Sequence, residues 1–165
     1  MKKQIVSIVF LLFAATSLFS QVSEGDINLI QKHFGVQKIA LLKEYMEFTP
    51  EQDAAFWPVF NNYETERQAL AQQRIQLVDE YMKAIENIAP EKATSLVNSN
   101  ADLEIKFKKL QKKYFKELSK KVGPVKASQF YQFENYLNNL TNLIIQQNIP
   151  FVGELQQKYP IEMKK

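Results

Sequence analysis

Few residues of this chain have the types and spacing that acid-base or metal chemistry requires. There is no cysteine, and the single histidine, His33, has no second histidine with which to share a metal ion. Glu64 and Glu66 lie two residues apart, and Asp79 and Glu80 are adjacent. Neither spacing places two carboxylates on one face of a helix, which takes three or four residues. We therefore interpret these groups as solvated charges.

The glycines give no sign of catalysis either. The four in the chain form neither a phosphate-binding loop nor the elbow that presents a nucleophilic serine. The sequence predicts no catalytic residue, no cofactor and no metal site. We expect a protein that is not an enzyme.

The densest charge lies between Asp102 and Lys121, where eight lysines accompany three acidic residues. Two interpretations stay open. The lysines attract anionic partners, or they form a solvated helix face balanced by acids on a neighbouring helix. We favour the second, because such runs are usually surface. The acids in question are Glu64, Glu66, Asp79, Glu80 and Glu86.

Helical periodicity links these residues. Thr49, Pro50 and Gln52 have the pattern of a capping box with proline at the first helical position, and apolar residues then recur every three or four positions to about Asn87. Pro58 lies past the first turn, where we expect a bend. The aromatic residues beside it predict either packing around that bend, which we favour, or a binding pocket.

A second amphipathic segment follows Ala89-Pro90 and ends at Gly123-Pro124, where Gly123 is expected to cap the helix and Pro124 to open the next. The short connection predicts an antiparallel hairpin of two long helices. The last helix, ending at Pro150, has a wide apolar face and an outer face of Gln and Asn, so it is either adhesive or buried on two sides. The fold class is all-α, arranged as a hairpin with flanking helices.

Residues 1–20 have the pattern of a secretory signal peptide. The basic residues Lys2 and Lys3 precede an apolar run over 5–13, and small residues follow. That run is shorter than the about 20 residues needed to span a bilayer, and a lipid anchor would need a cysteine. We expect export to the periplasm without a lipoprotein anchor or stable membrane insertion, and hence no nucleic acid partner. A helical domain over 21–150 and a tail over 151–165 follow.

The capping segment also carries a family resemblance. Phe48-Thr49-Pro50-Glu51-Gln52 resembles the Leu-Thr-x-x-Gln motif of the Spy/CpxP family of periplasmic stress proteins, with Phe48 replacing the leucine. That family has a second copy before its final helix, and Val122-Gly123-Pro124 lies at the corresponding place, with Gly123 where threonine is expected. Phe56-Trp57-Pro58 is similar to a variant of Bacteroidetes-type relatives.

The resemblance implies an elongated helical cradle or four-helix arrangement, dimeric in Spy-like members, that binds unfolded or stressed envelope proteins without ATP. The alternative is a regulatory module that binds a membrane sensor or anti-sigma partner, as CpxP-like members restrain a sensor kinase. We expect client contacts on the hairpin and on the last helix. The expected contact residues are Phe107, Lys109, Tyr114, Lys116, Phe130, Tyr131 and Tyr136.

Overall fold

The computed structural model describes residues 37–147, 149, 150 and 158. The chain divides into two units, Met1–Glu44 and Tyr45–Lys165, and in the first of these residues 37–44 are helical. All regular structure in the described residues is helical, so the predicted all-α fold is confirmed. The predicted signal peptide and, except for Lys158, the predicted tail lie outside the described residues. The second unit contains helices α1 (Pro50–Ala84), α2 (Pro90–Lys121) and α3 (Pro124–Gln147), with a 3-10 turn at Ile85–Asn87.

The start of α1 is fixed by the capping box that the sequence predicts. The Gln52 backbone N–H donates to Thr49 Oγ1 at 3.3 Å, and the Thr49 N–H donates to Gln52 Oε1 at 3.1 Å. These bonds satisfy backbone donors that have no partner inside the helix. From this cap α1 runs 35 residues, about 52 Å at 1.5 Å per residue, and continues through Pro58.

The junction between α2 and α3 consists of Val122 and the left-handed Gly123. Gly123 has φ +87°, a conformation that costs glycine little because it lacks a Cβ. Here α2 ends, and its terminal Val122 carbonyl accepts a hydrogen bond from Gln52 Nε2 at 3.0 Å. One amide side chain therefore serves the beginning of α1 and the end of α2.

Side-chain contacts show that α1 and α2 lie antiparallel, which confirms the predicted hairpin. Tyr63 packs against Tyr114 with ring centroids 5.3 Å apart, whereas Glu80, further along α1, pairs with Lys92 near the start of α2. Helix α3 returns beside both, and its Phe130 contacts α1. The predicted sequence of proline-marked junctions thus sets the path of the chain.

An aromatic cluster packs near the beginning of α1 and of α3, and we call this end of the helices the base. The Phe130 ring lies edge-on to Phe56, Phe60 and Tyr63, with centroid distances of 5.3, 6.0 and 5.4 Å. Edge-to-face pairs at such distances are favourable beyond their burial. Trp57 donates its indole N–H to Asp53 at 2.6 Å at the rim of the cluster. The favoured interpretation, packing beside Pro58, agrees with these contacts.

Burial of apolar side chains differs between the two ends of the helices. We call residues 45–69 and 105–136 the proximal half, and residues 70–104 and 137–147 the distal half. The proximal half contains most of the buried apolar side chains, whereas in the distal half only Leu96 and Leu103 are fully buried. The other large apolar side chains described there are half-buried or exposed, including Leu70, Ile75, Leu77, Val78, Tyr81, Met82, Ile85, Val97, Leu137, Leu140, Leu143, Ile144 and Ile145.

The contribution of the Thr49 cap to the stability of the protein can be tested directly. We expect Thr49→Ala to lower the free energy of unfolding by about 1 kcal/mol, because it leaves the Gln52 N–H without its acceptor. Chemical denaturation followed by circular dichroism measures the change. Thr65→Ala is the matched control: Thr65 lies inside α1 and donates to the Asn61 carbonyl, an interaction that contributes little to a helix. Equal stability of the two variants would contradict a capping role.

Candidate functional site

A belt of polar side chains crosses the helices where the proximal and distal halves meet. We call these residues the polar belt. Several of them are buried, although buried polar groups need partners to offset their lost hydration. Each helix contributes members, so the belt joins all three. Its members are Glu64, Arg67, Arg74, Glu104, Gln111, Glu134, Asn138 and Asn142.

Tyr63 and Glu134 join α1 to α3 at the edge of the belt that lies nearer the aromatic cluster. The Tyr63 hydroxyl donates to Glu134 Oε2 at 2.7 Å, and both side chains are buried. Burial raises the pKa of Tyr63 well above its usual range, and the negative charge of Glu134 raises it further. The phenol is therefore held neutral as a hydrogen-bond donor.

Glu64 and Arg67 form an ion pair within α1. Arg67 donates through Nε and Nη2 to the two Glu64 oxygens at 2.8 and 3.1 Å, a two-point geometry that only arginine offers a carboxylate. Burial lowers the pKa of Arg67, but the charge and hydrogen bonds of Glu64, together with the charge of Glu134, leave the pKa raised. Arg67 is therefore held in its charged form although little of either side chain reaches solvent.

Arg74 contacts both α2 and α3 at the edge of the belt that lies farther from the aromatic cluster. Its Nη2 donates to Glu104 Oε1 on α2 at 2.7 Å, and both terminal nitrogens donate to Asn138 Oδ1 on α3 at 3.1 Å. The guanidinium also lies 4.2 Å from the centre of the Phe107 ring, within range of a cation–π interaction. Burial lowers the pKa of Arg74, and the charge of Glu104 acts in the opposite direction.

The belt is not fully satisfied. Among the described residues, no hydrogen-bond partner is found for Arg74 Nε or for the Oε1 atom of Gln111, both of which are buried. An unsatisfied buried polar atom costs about 1 to 3 kcal/mol.

Three of the expected client-contact residues lie in the core of the described helices. Phe107, Tyr114 and Phe130 are each only 3% exposed. Phe107 underlies Arg74, Tyr114 packs on Tyr63, and Phe130 belongs to the aromatic cluster. Their positions in the apolar stripe dictate this burial, so a client can reach none of them while the helices stay packed.

The other expected contact residues are accessible to different degrees. Lys109, Lys116 and Tyr136 are exposed, with Tyr136 at 56%. Tyr131 is half-buried and packs edge-on against Phe115, with ring centroids 6.1 Å apart. These four are dispersed along α2 and α3 and do not form one cluster with the three buried residues.

Sequence reasoning missed most of the polar belt. Asn138 and Asn142, assigned to the outer face of the last helix, instead point inward to Arg74 and Glu104. A signal was present, since Arg74 occupies a heptad position of the apolar stripe and Glu134 follows Phe130 by four residues on the same face. A charge at a core position implies a polar partner on the facing helix.

The charge balance expected for the lysines is also corrected. Only Lys113 of the eight lysines between Asp102 and Lys121 forms an ion pair in the described part of the chain, with Glu66 at 2.6 Å. The hydrogen bond from Lys113 lowers the pKa of Glu66, and the Tyr114 hydroxyl, 2.7 Å away, adds to this effect. The other acids serve different bases: Glu64 pairs with Arg67, Asp79 with Lys83 and Glu80 with Lys92.

The described residues contain neither a metal-binding cluster nor a helix that could span a membrane. In the part of the chain described, no three acidic, histidine or cysteine residues lie close enough to hold a metal ion. None of the helices described has the length and apolar character to cross a membrane. His33 and the predicted signal peptide lie outside these residues.

Comparisons with known proteins gave no relatives. No family model matches the chain, and no match was found among curated proteins or solved structures.

Arg74 provides a test of the polar belt. We expect Arg74→Ala to lower the free energy of unfolding by about 2 to 3 kcal/mol, since it removes the donor of Asn138 and leaves the partly buried Glu104 with only the 3.5 Å contacts from Asn142. Lys83→Ala is the matched control, because the Lys83–Asp79 pair has the same 2.7 Å separation but is exposed to solvent. We expect a change of less than about 1 kcal/mol there. Urea denaturation measures both, and equal losses would rule out a structural role for the belt.

The raised pKa of Tyr63 predicts that the folded protein loses stability at high pH. Because its folded-state pKa is raised, the stabilisation is complete below the usual tyrosine pKa of about 10 and is lost above it. We expect Tyr63→Phe to flatten the decline by up to about 1.4 kcal/mol per pH unit. Urea midpoints between about pH 8 and 11 test this. Tyr136→Phe, which removes an exposed hydroxyl, should decline as the parent does, and a parallel decline of Tyr63→Phe would contradict the assignment.

Proposed function

We propose that this protein is an extracytoplasmic chaperone that binds unfolded or partly folded proteins without ATP. One observation carries the proposal: the distal half combines many large apolar side chains with incomplete burial, and Met82 and Val97 are 42% and 68% exposed. Apolar surface of this extent is typical of sites that meet other proteins. The extracytoplasmic location rests on the signal-peptide pattern of residues 1–20.

The division between the halves suits such a role. The aromatic cluster and the cap at Thr49 stabilise the base, so the chain stays folded while the distal apolar side chains exchange partners. Half-buried side chains on two long helices offer many weak contacts rather than one shaped pocket, and surfaces that repack in this way accept varied partners. Exposed lysines on α2 would speed the first encounter with acidic segments.

The proposal is tested by light scattering from a client protein that aggregates on dilution from denaturant. We expect equimolar chaperone to suppress the scattering and Met82→Ser/Val97→Ser to reduce this suppression several-fold, because the variant removes apolar contact area. Tyr45→Ser/Val125→Ser is the matched control, since these proximal residues are 50% and 70% exposed. Circular dichroism verifies that both variants are folded.

Three outcomes would count against this function. Failure to suppress scattering at equimolar protein removes the chaperone proposal, and equal loss in the two variants removes the distal site. Recovery of one stoichiometric partner from envelope extracts, rather than a mixed set, would favour the regulatory alternative. The dimer implied by the family resemblance stays a prediction, which a solution molecular mass tests.

A further inference from the structure

The outer face of α2 carries a continuous line of positive charge. We call Lys109, Lys112, Lys116 and Lys120 the basic stripe. All four are exposed, and their spacing of three and four residues aligns them over about 17 Å on the side opposite the buried Phe107, Leu110, Tyr114 and Leu118. Lys106, Lys108, Lys113 and Lys121 flank the stripe and are also exposed.

The charge of the stripe is not neutralised by the described part of the chain. None of its four lysines lies within ion-pair distance of a described acid, whereas Lys113 at its edge pairs with Glu66. Four of the six acids of α1 are already used in ion pairs: Glu64, Glu66, Asp79 and Glu80. In the described part of the second unit, the exposed acids outside these pairs are dispersed and form no row at three- or four-residue spacing along a helix: Glu47, Glu51, Asp53, Glu86, Glu91 and Asp102. A second copy of this chain therefore presents, among these residues, no acidic line that matches the stripe, and we take the partner to be a separate anionic surface.

The apolar content of this face distinguishes between kinds of anionic partner. Stable protein interfaces are centred on large apolar or aromatic anchors that enter pockets. Among the described residues 105–121, Ile105 is the one large apolar side chain that is exposed, at 51%, and it lies one turn before Lys109 on this face. Phe115 is half-buried against Tyr131, so the face has a single aliphatic side chain and no aromatic anchor. Flexible lysines on a convex helix instead suit many mobile charges that rearrange around them.

We propose that the basic stripe docks this protein peripherally on the headgroups of an anionic lipid surface. Each lysine near such a surface strengthens binding roughly five-fold, and the attraction extends about one Debye length. The stripe lies on the proximal half, and its nearest lysine, Lys109, is about 18 Å along α2 from Val97. The inference goes beyond the proposed chaperone function and does not depend on it.

Co-sedimentation of the full chain with vesicles tests this docking. We expect binding to phosphatidylcholine vesicles that contain phosphatidylglycerol, none to phosphatidylcholine alone, and release as salt is raised from about 0.1 to 1 M. Lys112→Gln/Lys116→Gln should weaken binding roughly 25-fold. Lys83→Gln/Lys92→Gln removes the same net charge from residues outside the stripe and should leave binding within about two-fold of the parent.

Several results would overturn the proposal. Equal weakening by the two variants would make binding a property of net charge alone, and salt-insensitive binding would point to apolar insertion. Binding to polyglutamate with loss in Lys112→Gln/Lys116→Gln, but no binding to vesicles, would make the stripe a docking site for acidic proteins. Suppression of client aggregation is read from Met82→Ser/Val97→Ser, so failure of either proposal is recognised separately.

Discussion

The packing of Phe130 against Phe56, Phe60 and Tyr63 is the contact on which the rest of this structure depends. It brings α3 against the hairpin, although only Val122 and Gly123 join α3 to α2. Once Phe130 is seated, Glu134 lies one turn further on and meets the Tyr63 hydroxyl, and Asn138 lies a further turn on and meets Arg74. Aromatic packing at the base thus sets the register of the polar contacts above it.

The polar belt separates two regions with different physical character. Below it, large rings are buried and pair edge to face; above it, aliphatic side chains are left half-buried. Charged groups in the middle of a helical bundle add less stability than apolar packing does, but they restrict how the helices align. Arg74, which meets both α2 and α3, acts in this way and keeps the less tightly packed distal half in line with its base.

Local signals in the sequence predict the elements and their order. The capping box at Thr49, the prolines at 50, 90 and 124 and the left-handed Gly123 each act within a few residues, so the pattern alone identifies them. The polar belt was harder to predict, because the contacts of a residue in the apolar stripe depend on which side chains the facing helix presents to it. Phe107 was taken for a client contact although Arg74 covers it, and Asn138 was placed outside although Arg74 draws it in. Periodicity predicts the helix face on which a residue lies but not its partner on another helix. For the same reason, most of the expected ion pairs between the lysines of α2 and the acids of α1 are not found in the described residues.

The amide of Gln52 gives the base of the molecule a chemical weakness. Its oxygen accepts from the Thr49 N–H while its nitrogen donates to the Val122 carbonyl. Deamidation, the slow hydrolysis that ages proteins, would replace that nitrogen by oxygen. The resulting carboxylate still serves the cap, but it faces the carbonyl at the end of α2 with one acceptor against another. The replacement of one NH2 group by oxygen would therefore make the two helix ends that Gln52 now joins repel each other.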